Sequence, residues 1–282
     1  MASRILRPFS RSVRRIIPTW SPQHPVRVAK RTYCVCSSLA PPPLMAQLSS
    51  HQRQQIEAYL DILFDWNENR MNLTAVKSRD EAYTRHIEDS LALLSALDAA
   101  AATTSSSATT QDSTPISLID VGSGAGLPGI ILAIARPQWQ ITLLDSLNKR
   151  CLFNEAAVVA THLSNVNIEW ARAEDAGQDV RLREKYDIAV ARAVAELRVL
   201  AELCLPLVTV GGHWVAAKGV DPGAEVEVAK NAISELGGRV VEVGEVASEG
   251  PDGRRSVVVV KKVAATKCKY PRKPGIPKKQ PL

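Results

Sequence analysis

Four glycines, Gly122, Gly124, Gly126 and Gly129, fall within eight residues, just after an apolar run that ends on Asp120. That spacing closes a buried strand, turns the chain tightly and starts a helix. A side chain in such a turn would hold a ligand off the backbone, and glycine removes the obstacle. The N–H groups at the following helix start suit a polar or anionic ligand group. A second acid, Asp145, closes another apolar run 19 residues beyond Gly126. In doubly wound folds an acid about 20 residues past the loop accepts hydrogen bonds from ribose hydroxyls. Together these residues read as a site for a nucleotide-type cofactor.

Other chemistries find little support. Cys34, Cys36, Cys151, Cys204 and Cys268 are scattered, odd in number and without zinc spacing, which argues for a reducing compartment and against a disulfide framework or metal site. His86, Asp89 and Ser90 stand three to four residues apart and can share a helix face, an arrangement that is structural by default. The glycines themselves allow two frames. Gly124, Gly126 and Gly129 satisfy the dinucleotide fingerprint G-x-G-x-x-G, but that fingerprint should begin where the strand ends, at 120–122, and there its third glycine falls on Leu127. The other frame, Asp120-x-Gly122-x-Gly124-x-Gly126, resembles motif I of class I S-adenosylmethionine methyltransferases, whose glycines pass under the methionine and ribose while the acid helps to fix the loop.

The elements around the loop follow from hydropathy period. Ser49 or Ser50 caps a helix to about residue 70 that buries Ile56, Tyr59, Leu60, Leu63 and Phe64, and a second helix is expected over about 80–99. Strands are expected at 116–121, 140–145, 166–171, 187–191 and 212–218, with helices at 147–162 and 224–237 and a closing antiparallel pair at 240–246 and 255–263. Seven strands with that closing pair match a class I methyltransferase sheet better than the six parallel strands of a dehydrogenase. The expected organisation is residues 1–45 as an organellar transit peptide, 46–98 as an N-terminal helical cap, 99–114 as a low-complexity linker, 115–265 as the α/β core and 266–282 as a basic tail.

Charge supports that division. Residues 1–56 hold nine Lys/Arg and no acid, residues 253–282 hold ten and no acid, and the middle holds 16 bases against 29 acids. A generally basic nucleic-acid surface is therefore not expected, whereas a local basic tail is. The first 45 residues, Arg- and Ser-rich and broken by prolines, have the composition of a transit peptide rather than a secretory signal.

Several separated motifs carry a wider resemblance: W-N-x-x-x-M-N-L-T-A-V (66–76), R-H-I-E-D-S (85–90), D-V-G-S-G-A-G-L-P-G (120–129), L-L-D-S-L-N-K-R (143–150), A-R-A-V-A (191–195), A-A-K-G (216–219) and the tail 269–282. In this order they resemble the RsmG (GidB) family of small-subunit ribosomal RNA guanine-N7 methyltransferases, over about 50–282. The resemblance implies a class I methyltransferase fold (a Rossmann-like seven-stranded sheet), S-adenosyl-L-methionine as cofactor, and cofactor contacts at Gly122, Gly124, Leu127, Asp145, Ala173, Glu174 and Arg192. Arg192, at the mouth of the fourth strand, is also the catalytic candidate. Lys149, Arg150, Lys218, Arg272 and Lys273 are the RNA-backbone candidates. Expected partners are small-subunit rRNA or a 30S-type particle, with no membrane and no metal, and a monomeric chain. Likeness to plant members in the segments 86–94 and 191–202, with the Ser/Thr and Pro content of the extension, points to the chloroplast, with the mitochondrion as alternative. The rival functions are an NAD(P)-dependent oxidoreductase and a non-catalytic RNA-binding or ribosome-assembly module.

Overall fold

The computed structural model describes residues 44–105, 115–192, 195–250 and 253–282. The expected transit peptide (but for its last two residues), most of the Ala/Ser/Thr stretch, and Ala193 with Val194 lie outside the described residues. The first helix, α1 (Ser50–Asn69), opens on a capping box: Ser49 accepts from the Gln52 N–H and Gln52 reaches back to the Ser49 N–H. Its buried face is Ile56, Tyr59, Leu60 and Leu63. The expected second helix is broken into α2 (Arg79–Ala82), a π-helical turn at Tyr83–Glu88, α3 (Asp89–Leu91) and α4 (Leu94–Ser105).

α4 runs well into the stretch expected to be linker. Its Ala99–Ala102 run has the strongest intrinsic helix preference, Ala100 and Ala101 are buried, and Asp98 takes a two-armed ion pair from Arg136 at 2.5 and 2.9 Å. The remaining elements alternate: β1 (Ser117–Val121), α5 (Gly129–Ala135), β2 (Gln140–Asp145), α6 (Asn148–Ala160), β3 (Val166–Trp170), α7 (Ala173–Ala176), β4 (Tyr186–Arg192), α8 (Leu197–Cys204), β5 (Val208–Lys218), α9 (Gly223–Glu235), β6 (Gly238–Gly250), β7 (Gly253–Lys262) and α10 (Ile276–Lys279).

The seven strands form one sheet in the order β3-β2-β1-β4-β5-β7-β6, in which the first five are mutually parallel and β7 runs antiparallel to both β5 and β6. This is the class I methyltransferase arrangement. Successive residues of β1 serve opposite layers: Leu118 joins the core under α1, α4, α5 and α6, and Ile119 the core under α8 and α9. The chain order reverses between β1 and β4, which pair directly through Asp120 and Val190. In open α/β sheets ligands bind at that switch point, beyond the carboxyl ends of the strands, and the glycine turn and Arg192 both sit there.

The N-terminal helices share the core of the α/β unit. Phe153 of α6 lies edge-on to Tyr59 (6.4 Å) and Trp66 (5.5 Å) of α1. Burying rings of this kind contributes about 1.5–3 kcal/mol each. Gln52 and Gln55 add hydrogen bonds to the Ile134 and Thr161 carbonyls. Among the described residues no helix is long and apolar enough to cross a membrane.

Candidate active site

The glycine turn is held from four directions. The N–H groups of Gly122 and Ser123 donate to the Leu144 carbonyl of β2. Gly124 N donates to Asp145 Oδ2 at 2.8 Å, Gly129 N to Asp120 Oδ2 at 2.8 Å, and the Tyr59 hydroxyl to the Ala125 carbonyl at 2.7 Å. Two glycines are required by space. At Gly126 (φ +74°) a Cβ would lie 2.4 Å from Ile130 Cδ1, and at Gly129 it would lie 2.2 Å from Leu143 Cδ2. Both glycine frames of the sequence are therefore occupied: the first three glycines turn the chain with positive φ, and Gly129 lets α5 press onto β2. Leu127 is core, with its N–H spent on Ser123, so its side chain is not an open cofactor contact.

Asp120 and Asp145 divide the loop between them. Asp120 is buried, and its Oδ1 has no partner. Burial raises its pKa to about 7, against the opposing pull of the Gly129 N–H and Arg192. Asp145 accepts from Gly124 N and from Leu147 N at 2.9 Å, and Arg150 reaches it at 3.4 Å. A carboxylate has about four acceptor directions, so Asp145 keeps capacity for a ribose hydroxyl while holding the loop. It is also the anion that offsets Arg150 in the first turn of α6, where the helix dipole disfavours a cation.

On the β4 side, Arg192 is fixed by a residue from the N-terminal segment. Its Nη1 lies 3.3 Å from Asp89 Oδ2, while Asp89 Oδ1 accepts from Ser248 Oγ at 3.0 Å and lies 3.3 Å from Arg255 Nε. Asp89 is thus committed to three other elements and not to His86. His86 Nε2 meets Thr74 Oγ1 at 2.7 Å, and its Nδ1 is buried without a partner. Burial, and then Arg192, lower the His86 pKa, so the ring is neutral near pH 7. Thr74 is presented by a loop that Asn67 ties down through the Leu73 and Thr74 N–H groups. His86, Asp89 and Arg192 line a cavity of about 590 Å³ together with Arg85, Lys218, Glu225 and Arg255. Asn72, expected near the same mouth, is exposed and is not part of the lining.

On the β3 side, Ala173 opens α7 half-buried, and Glu174 Oε1 accepts from Gly275 N at 2.9 Å. The expected free basic tail is a folded strap. Arg183 donates to the carbonyls of Gly177, Thr266, Lys267 and Tyr270, and Gln178 to those of Cys268 and Pro271. Buried Glu202 takes the N–H and the guanidinium of Arg272 at 2.6–3.2 Å. Buried Lys262 binds the Leu205 carbonyl and Thr266 Oγ1, with Glu184 at 3.2 Å.

Two RNA candidates are corrected by this geometry. Arg272 is committed to Glu202. Lys218, with a side chain only 10% exposed, is bound to Glu225 at 2.7 Å and to the Ala195 carbonyl at 2.9 Å. Neither is a free phosphate ligand. Lys149 and Lys273 are exposed and Arg150 is partly so. Sequence reading missed Arg85 and Arg255. Arg85 stands beside His86 in a motif already singled out, whereas nothing local marks Arg255.

Comparison with known proteins agrees with this architecture. The family model GidB, described as rRNA small subunit methyltransferase G, matches residues 52–257. The ribosomal RNA small subunit methyltransferase G of Alkaliphilus metalliredigens is 43% identical over 235 residues, which cover 83% of this chain and 92% of that protein. The protein of the same name from Bacillus cytotoxicus is 42% identical over 235 residues, with the same coverage. That of Brevibacillus brevis is 41% identical over 239 residues.

Proposed function

The chain belongs to the rRNA small subunit methyltransferase G family, and from that premise we propose that it methylates N7 of a guanosine in small-subunit rRNA. S-adenosyl-L-methionine supplies an electrophilic methyl on a sulfonium when bound. The residues present suit it. Asp145 has one spare acceptor direction for the ribose, Glu174 and Ala173 would flank the adenine, and the glycine turn leaves room at Gly124, where a Cβ would meet nothing closer than 3.9 Å.

The observation that carries the reading is the placement of Arg192, which ends β4 beside the glycine turn and is fixed by Asp89 at the wall of the cavity. Guanine N7 is an acceptor with no proton to lose, so its lone pair attacks the methyl carbon directly. The bound cofactor would supply the methyl while its sulfur keeps the bonding pair, so the guanine ring would take up the positive charge and no proton would have to move. The one histidine in the lining is held by Thr74 and need not act as a base. The protein's task is alignment, and positioning of this kind contributes about 7–11 kcal/mol. Arg192 and the wall it shares with Asp89 orient the base against the cofactor loop.

Lys149, Arg150 and Lys273 are the cations we assign to the RNA backbone, and binding through them weakens as salt rises. The chain acts as a monomer, and the acid-free N-terminal residues direct it to the chloroplast. A fluorescent fusion of residues 1–45 tests the address: plastid import supports it, and mitochondrial import overturns it. The central test incubates the purified chain with methyl-labelled S-adenosylmethionine and small subunits lacking the modification. Label recovered as N7-methylguanosine is expected. Label on another base, or binding of NADH in place of S-adenosylmethionine, removes the proposal.

A further inference from the structure

The cavity beside Arg192 holds more positive charge than the reaction there can use. Arg85, Arg192, Lys218 and Arg255 line it against two carboxylates, Asp89 and Glu225. Glu225 is taken by Lys218, and Asp89 is divided between Arg192 and Arg255. Arg85 pairs with Glu81 at 2.5 Å, outside the lining. Arg255 Nε, although near Asp89, is buried without an aligned hydrogen bond. Methylation at N7 leaves the base cationic, and like charges oppose one another most strongly where water is excluded. A neutral base entering alone would therefore acquire its charge beside a lining that already carries one uncompensated positive charge. A nucleotide carries an anion in with it.

We propose that Arg85 and Arg255 form a phosphate subsite that takes a backbone phosphate of the target nucleotide, so that the cavity recognises a nucleotide rather than a base. The inference rests on the methyltransferase reading above and adds two residues to it. A guanidinium presents a planar fork that matches phosphate oxygens, with bonds about twice as strong as neutral ones. A cavity of about 590 Å³ lies within the range of small-molecule sites, roughly 300–1,000 Å³. The two arginines come from separate elements, the π-helical turn Tyr83–Glu88 and strand β7. A phosphate between them would tie the N-terminal segment to the sheet, neutralise the surplus and hold the nucleotide while the ring becomes charged.

The test is calorimetry on the full chain saturated with S-adenosylmethionine, titrated with guanosine 5′-monophosphate and with guanosine. The phosphate should improve binding by on the order of tenfold, as a charge-assisted contact does. Arg255→Ala and Arg85→Ala should each shrink that ratio, and Arg255→Lys should restore part of it. Equal binding of the two ligands to the wild type, or a ratio that survives both alanine variants, overturns the subsite. S-adenosylmethionine affinity serves as the folding control. Should a variant fail it, inorganic phosphate competing with the monophosphate on the wild type decides: competition supports the subsite and its absence refutes it. If the wild type shows the expected ratios yet methylates no small-subunit rRNA, the methyltransferase reading falls and the subsite stands.

Discussion

The two flanks of the α/β core are attached in opposite ways. The N-terminal segment sends side chains into the core: Tyr59 to the glycine turn, Asp89 to Arg192, and Gln52 and Gln55 to backbone carbonyls. The C-terminal strap chiefly offers its backbone, and core side chains grip it: Arg183, Gln178, Glu202 and Glu174 bind its carbonyls and N–H groups. The first flank therefore holds the glycine turn and Arg192 through side chains, whereas the second fixes the position of a wall. Changes in the first should alter rate or cofactor affinity, and changes in the second should alter stability.

Asp89→Ala offers the sharpest break. Removing one partner of a buried pair costs about 3–5 kcal/mol, here shared between a loosened Arg192 and two cations facing each other. Single-turnover methylation should fall at least about 100-fold, with S-adenosylmethionine affinity nearly unchanged. A lowered thermal midpoint with an unchanged rate would erase the distinction between the flanks. Next in size is Glu202→Ala, which leaves Arg272 without its carboxylate. It should cost about 2 kcal/mol, or roughly 4–8 °C in thermal midpoint for a domain of this length. The maximal rate at a permissive temperature should hold, and a normal midpoint would show that the strap is not anchored there.

Tyr59→Phe removes one buried hydrogen bond, worth about 1 kcal/mol, so cofactor affinity should fall only a few-fold by titration. Lys262 adds a pH dependence confined to alkaline conditions. Burial lowers its pKa to about 8 despite Glu184. Between about pH 8 and its ordinary value of 10.5 the unfolded chain binds the extra proton, so stability contributed by this group rises with pH across that window. Lys262→Met should lack that rise in denaturant melts, and an identical pH slope in both proteins would remove Lys262 as its source.

The same contrast explains what could be read from the chain. The glycine turn, Asp145, the Ser49 cap and the seven strands were legible because each is written in local spacing, period or turn residues. The R-H-I-E-D-S motif was visible as well, but its geometry was not: the tempting His86–Asp89 pair dissolves into Thr74 on one side and Arg192 on the other. The strap misled because its sequence advertises cations while its attachment uses peptide groups, which every residue has. Arg272 meets Glu202 across 70 positions, and no periodicity reports such a partner. Lys218 was misread for a related reason, since Glu225 becomes its neighbour only when β5 turns into α9. The extension of α4 past residue 99 was hidden by composition, because Ala, Ser and Thr fit a linker as well as a buried helix end.

The link between Glu174 and Gly275 spans 101 positions. A ribosome delivers the chain from its N-terminus, so the glycine turn and the N-terminal helices leave the exit tunnel long before the strap. The wall that Glu174 forms with the strap is then among the last contacts the chain can make. A chain stalled or cut before Gly275 would present the loop and Arg192 with that wall unfinished.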